Sequence, residues 1–213
     1  MNRPINCRSS TPANLGLAHD LDTLTAAIKV LDGSGRFRFH FVGGGGRRDE
    51  LAAFVQREGI TSIEMLPYVK RNELSSSLSW GDIGLVTQRD QCCGSIVPSK
   101  VYGLMAAGRP ILFIGPAAAT PACIIRRFKC GWHVACGDVD KLTQLLMHLS
   151  DHRDEVLQAG IQGRQALLEN FDLHLGTSRI ASLLLRDLSS GPATDPSWCV
   201  ENTKGERALI SNS

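Results

Sequence analysis

Hydrophobic positions along the chain switch repeatedly between a helical and an extended period. Leu21, Leu24, Ile28 and Leu31 recur at spacings of three and four, the signature of one helix face. Phe37 to Val42 then alternates in β-forming residues and ends in Gly43-Gly44-Gly45-Gly46. Helical period returns from Arg47 to Arg57 through Leu51 and Phe54. Ile60 to Leu66 reads as a second strand and Asn72 to Leu78 as a short helix. Ile83 to Val86 is a compact apolar run, as expected of a parallel strand buried on both faces.

The alternation continues toward the C-terminus. A helix is expected from Pro98 to Ala107, with proline early and Gly108 past its end. Pro110 to Ile114 is another buried strand, Ala122 to Phe128 a helix that stops at Cys130-Gly131, and Trp132 to Ala135 a short strand. Asp138 is placed to cap a helix that runs through Leu142, Leu145, Leu146 and Leu149. Two further helical stretches follow, Asp154 to Glu169 and Leu173 to Leu188. Strands alternating with helices at this spacing predict an α/β fold, a Rossmann-like doubly wound parallel sheet of roughly six strands, with ligands at the strands' carboxyl ends.

The pattern assigns residues 14–188 to this domain. Asn2 to Ala13 contains almost no apolar residue, so residues 1–13 are expected to be an irregular start that lacks the usual first strand. From Ser189 the chain is rich in Ser, Gly, Pro and Asn without periodicity, and residues 189–213 are expected to form a disordered tail.

Composition narrows the function classes. Of 213 residues 43% are hydrophobic and 21% charged, enough for one domain with a real core. A net charge of +2 with no long Lys/Arg block excludes a nucleic-acid partner recognised by charge. The apolar stretch Pro110 to Ile125 is broken by Pro110, Pro116 and Pro121 and is shorter than the roughly 20 residues of a spanning helix, so no transmembrane segment is expected. The polar N-terminus lacks a signal-peptide core, and the seven cysteines form no Cys-x-x-Cys pair, so cytoplasmic, reduced thiols are expected. Cys92-Cys93 reads as two small packed residues rather than a redox pair. His133, His148, His152 and His174 lack the spacing of a metal site, and no metal or cofactor is expected.

Two segments carry candidate chemistry. The glycine run sits between a strand and a helix, where phosphate-binding turns occur. Arg48 breaks the G-x-G-x-x-G pattern and no Gly-Lys-Ser/Thr follows, so a tight turn without ligand is an equal reading. The segment Gly94 to Pro110 puts a helix start after a loop at a strand's carboxyl end, where Lys100 could add a point charge to a bound diphosphate. A plain surface lysine is the competing reading.

The order VGGG-RR-EL, LPY, strand, VPSK-Y-AAGRP, strand and CGW resembles the C-terminal domain of GT-B glycosyltransferases of the family-four type. Within these it is most similar to enzymes of bacterial surface-polysaccharide assembly, such as the colanic-acid-type transferases. The resemblance implies that this domain binds a nucleotide-diphosphate sugar, commonly a UDP-sugar, as substrate. A separate N-terminal domain would hold the polysaccharide or lipid-linked acceptor, and transfer would occur in the cleft between them with retention. It also implies that Asn14 and His19 of NLGLAHD stand where the family's phosphate-loop Arg and Lys fall. Ser95 and Gly103, eight positions apart, stand where its paired glutamates fall. Donor contacts are then expected from Asn14, His19, Gly43, Gly44, Gly45, Arg47, Ser95, Pro98, Ser99 and Lys100, with Tyr68 stacking on the base. No catalytic residue is assigned.

Without its acceptor domain the chain is expected to be inactive, and Ile180, Leu183 and Leu184 could drive self-association. The complete enzyme would work in the cytoplasm or at the inner membrane face. The alternatives are a non-catalytic piece of a broken transferase gene and a nucleotide-sugar epimerase of the same architecture.

Overall fold

A strand stands where the sequence pattern left none. The computed structural model describes residues 3–10, 18–67, 80–171, 176–178, 181, 182, 184 and 185. Its strands are β1 (Ile5–Ser10), β2 (Phe37–Val42), β3 (Ile63–Leu66), β4 (Ile83–Thr87), β5 (Ile111–Ile114) and β6 (Gly131–Val134). Its helices are α1 (Asp22–Leu31), α2 (Arg48–Glu58), α3 (Lys100–Ala106), α4 (Thr120–Phe128), α5 (Val139–Asp151) and α6 (Arg153–Asn170). All strand pairs are parallel and the order is β3-β2-β1-β4-β5-β6, the doubly wound topology.

The expectation of a missing first strand is therefore corrected. β1 occupies the centre of the sheet, with Ile5 to Ser10 paired to Phe37 to Val42 and Cys7 and Arg8 paired to Ile83 and Gly84. Ile5 and Cys7 alternate and are both fully buried. Between them, Asn6 is held by Asp82, whose Oδ2 accepts from the Asn6 backbone N–H at 3.0 Å and from its side-chain amide at 3.3 Å. Arg3 adds a fork to the same carboxylate, at 3.1 and 2.7 Å. Two ladders satisfy the backbone, so the strand forms with only two inward apolar side chains. That is too few to register as an apolar run.

The remaining elements fall close to the sequence pattern. α3 begins at Lys100 rather than Pro98, because Pro98 and Ser99 form the turn that leads into it. The expected helix at 72–78 lies outside the described residues, as does the tail at 189–213. The core gathers Leu24, Ile28 and Leu31 of α1 with Phe39, Phe41, Ile83 and Leu85 of the sheet and Leu142, Leu146 and Leu149 of α5. Leu104 of α3 packs onto β4 where a Cβ on Gly84 would stand 2.3 Å from its Cδ2, so only glycine admits this approach. Residues Met1–Glu169 form one compact unit and Asn170–Ser213 a second. In the second, Leu184 and Leu185 are exposed, while Ile180 and Leu183 lie outside the described side chains. No helix among the described residues is long and apolar enough to cross a membrane.

Candidate functional site

In a doubly wound sheet the strand order reverses once, and the loops leaving the two strands there diverge to open a crevice. Here the reversal falls between β1 and β4. The chain returns to this point at Ala18, whose carbonyl oxygen accepts from the Arg89 N–H at 2.8 Å. His19 follows. Its Nδ1 stands 3.0 Å from Thr87 Oγ1 and 3.1 Å from the Thr87 carbonyl oxygen, at the carboxyl end of β4. Asp20 closes the start of α1, accepting from the Asp22 and Thr23 N–H groups at 3.2 and 3.3 Å and from Thr23 Oγ1 at 2.5 Å. Thr23 Oγ1 in turn accepts from the Gly137 N–H at 2.7 Å, which ties α1 to the loop after β6.

The glycine run turns the chain from β2 into α2. Gly43 and Gly45 have φ of 106° and 128°, left-handed values that a side chain disfavours, so the tight-turn requirement is met whatever the turn binds. Arg47 is buried and fully engaged. Its guanidinium forks onto Glu50 at 2.7 and 2.6 Å, reaches Asp22 at 3.2 Å and donates to the His19 carbonyl oxygen at 2.8 Å. Arg48 donates to the carbonyl oxygens of Gly43 and Leu66. Arg47 thus acts as a clasp that holds His19 and the start of α1 against the glycine turn.

The loop after β4 is braced from within. Gln88 is buried, and its side-chain amide donates to the Cys92 and Ile96 carbonyl oxygens at 2.8 and 2.9 Å. Sequence reasoning missed Gln88, since only its position next to a buried strand hinted at an inward side chain. Ser95 and Ser99 are exposed and Pro98 is half-buried on this loop, while Gly103 lies inside α3. Ser99 occupies the residue before α3 without a side-chain capping bond.

Lys100 points inward. Its Nζ donates to the Leu85 carbonyl oxygen at 3.3 Å, and no carboxylate among the described residues pairs with it. Burial lowers its pKa from 10.5 to about 8. His19, the glycine turn, Arg47 and Lys100 all sit on the sheet's carboxyl side. Asn14 and Tyr68 lie outside the described residues.

Beside the crevice is a cleft of about 340 Å³ lined by Asp20, Asp22, Arg89, Asp90, Gln91 and Cys136. None of these carboxylates stood out in the sequence, because Asp20 and Asp22 come from the start of α1 and Asp90 from the loop after β4, far apart along the chain. The six described cysteines are free thiols. Burial pushes Cys130 up to about 11; burial, with Asp20 and Asp90 beside it, pushes Cys136 up to about 12. Both thiols stay protonated near neutrality.

Residues 13–152, more than half of the chain, match the model of the family described as glycosyl transferases group 1. The chain belongs to this family. It is 24% identical over 169 residues to the probable glycosyltransferase WbjE of Pseudomonas aeruginosa, across 79% of this chain and 42% of that protein. It is 29% identical over 84 residues to the putative colanic acid biosynthesis glycosyl transferase WcaI of Escherichia coli (strain K12), across 37% of this chain and 21% of WcaI. The chain therefore spans less than half the length of either relative. Among solved structures, HepE of Anabaena in complex with UDP-glucose is similar at a TM-score of 0.69 and 15% identity, across 87% of this chain and 49% of HepE. The chain thus has the Rossmann-like half of a GT-B fold.

Proposed function

We propose that this chain binds the diphosphate of a UDP-sugar in the crevice between β1 and β4, as the donor half of a glycosyltransferase. The observation that carries this reading is Lys100, a half-buried lysine beside the switch point whose ammonium meets a backbone carbonyl and, among the described residues, no carboxylate. A cation held that way is undercompensated, and an anion entering the crevice would restore its charge. His19, fixed by Thr87 and by Arg47, would contribute a hydrogen bond to the same group. Arg47 would act through His19 rather than on phosphate. The complex of the fold-similar HepE with UDP-glucose supports a nucleotide-sugar as the ligand.

In transfer, charge develops on the departing UDP. A preorganised ammonium aimed at that charge stabilises the transition state without reorganising water. The acceptor, a polysaccharide or lipid-linked sugar, would be held by a second domain of the kind the longer relatives have room for. Calorimetric titration with UDP, UMP and uridine tests the reading. UDP should bind more tightly than UMP and uridine, and Lys100→Ala should weaken UDP by more than tenfold while leaving uridine unchanged. Equal affinity for UDP and uridine would defeat it.

A further inference from the structure

Away from the crevice, the break between α5 and α6 gathers a second cluster. His148 lies in the last turn of α5, His152 is the residue that ends that helix, and Glu155 lies in the first turn of α6. All three side chains are exposed, and one ligand atom from each lies within 4.8 Å of the other two. Among the described residues this is the one group of three or more His, Cys, Asp or Glu side chains that converges in this way. Spacing along a single helix did not reveal it, because Glu155 reaches the two histidines only through the change of direction at His152.

We propose that His148, His152 and Glu155 form a binding site for a divalent late-transition-metal ion such as Zn²⁺. Ligand atoms about 2.1 Å from a tetrahedral ion stand about 3.4 Å apart, a separation within the 4.8 Å that encloses these three atoms. His148 Nε2 is already 3.0 Å from Glu155 Oε1, so the ion would replace a proton shared along that line. His152 is set in the tautomer a metal needs. Its Nδ1 lies 2.9 Å from the His148 carbonyl oxygen, and an N–H donated there leaves the lone pair on Nε2, as second-shell carbonyls do for metal-bound imidazoles. The two rings stack with centroids 4.0 Å apart and planes 17° apart, so one ring must turn about its Cβ–Cγ bond for both lone pairs to face one ion. Two imidazoles and a carboxylate favour zinc, copper or nickel over magnesium or calcium. The ion would leave one coordination position to water and join the end of α5 to the start of α6.

The site is remote in sequence from every residue of the proposed UDP crevice, and it stands or falls independently of that reading. The test is a titration of the full chain with Zn²⁺ at pH 7.5, followed through the histidine ring resonances by NMR. Those of His148 and His152 should move together and saturate at one equivalent. His148→Ala and His152→Ala should each weaken binding by more than about tenfold, since even an outer-shell partner is worth that much. Both positions are exposed, so the fold is preserved, and Glu155→Gln, which keeps a hydrogen-bond acceptor for His148, should weaken binding too. Half-buried thiols at Cys92, Cys93 and Cys136 are the competing ligands. Histidine resonances unmoved by Zn²⁺, or unchanged affinity in any of the three variants, would overturn the assignment.

Discussion

Lys100 Nζ donates to the Leu85 carbonyl oxygen at 3.3 Å, two residues short of the end of β4. An ammonium half-buried there loses hydration that one carbonyl does not replace, and its pKa falls to about 8. Arrival of a diphosphate would reverse this by restoring the charged form. Binding of UDP at pH 8.5 should therefore take up protons, and affinity should fall as pH rises above about 8. Calorimetry in two buffers of different ionisation enthalpy measures the uptake. Lys100→Met should abolish it, and the same uptake in that variant would assign it to another group.

Lys100 also sets a stability cost when no ligand is bound. Its folded-state pKa lies below the ordinary 10.5, so the unfolded chain binds more protons between about pH 8 and 10.5. Stability from this group should rise with pH across that window, and the penalty is fully present below about 8. The drop corresponds to about 3 kcal/mol of destabilised ammonium. Lys100→Met should therefore raise the denaturation midpoint at pH 7 while weakening UDP. A variant less stable than the parent would mean that the lysine is better compensated than its hydrogen bonding implies.

The sequence disclosed five of the six strands, because Phe37–Val42, Ile83–Thr87 and Ile111–Ile114 carry their burial in consecutive or alternating apolar residues. It hid β1, whose place depends on Asp82 and on its two neighbouring strands. The glycine turn and the Lys100 helix were legible as punctuation. The direction of a charged side chain was not. Arg47 and Lys100 looked alike as cations beside phosphate-type turns, yet Asp22 and Glu50, both nearby in space, neutralise one and not the other.

Asp82 fastens β1 at its start. Burial alone would raise its pKa, but the Asn6 N–H and the Arg3 and Arg153 charges prevail and hold it below 3.8. A carboxylate lowered in this way contributes stability that is present above about pH 3.8 and is lost as pH falls through its folded value. Asp82→Asn should cost about 1.5–3 kcal/mol at pH 7, the range for a hydrogen bond to a charged group. Urea denaturation at pH 7 and at pH 2.5 checks this. The gap between parent and variant should shrink at the lower pH, and a gap independent of pH would show that Asp82 acts by shape rather than charge.

Arg47 separates positioning from contact. Its guanidinium is buried and spends its donors on Glu50, Asp22 and the His19 carbonyl oxygen, so removing it should loosen the turn rather than delete a phosphate ligand. Both carboxylate partners are more than half exposed and can be rehydrated, which limits the cost to about 1–3 kcal/mol. Arg47→Ala should lower stability by that amount and weaken UDP and UMP by similar factors, because His19 loses its anchor for both. Lys100→Ala should instead penalise UDP selectively. Arg47→Lys restores the charge but not the planar fork, so it should recover little of the stability. Denaturation midpoints and nucleotide affinities measured on the same three variants decide the matter: a loss of UDP affinity in Arg47→Ala without loss of stability would return Arg47 to direct contact with the donor.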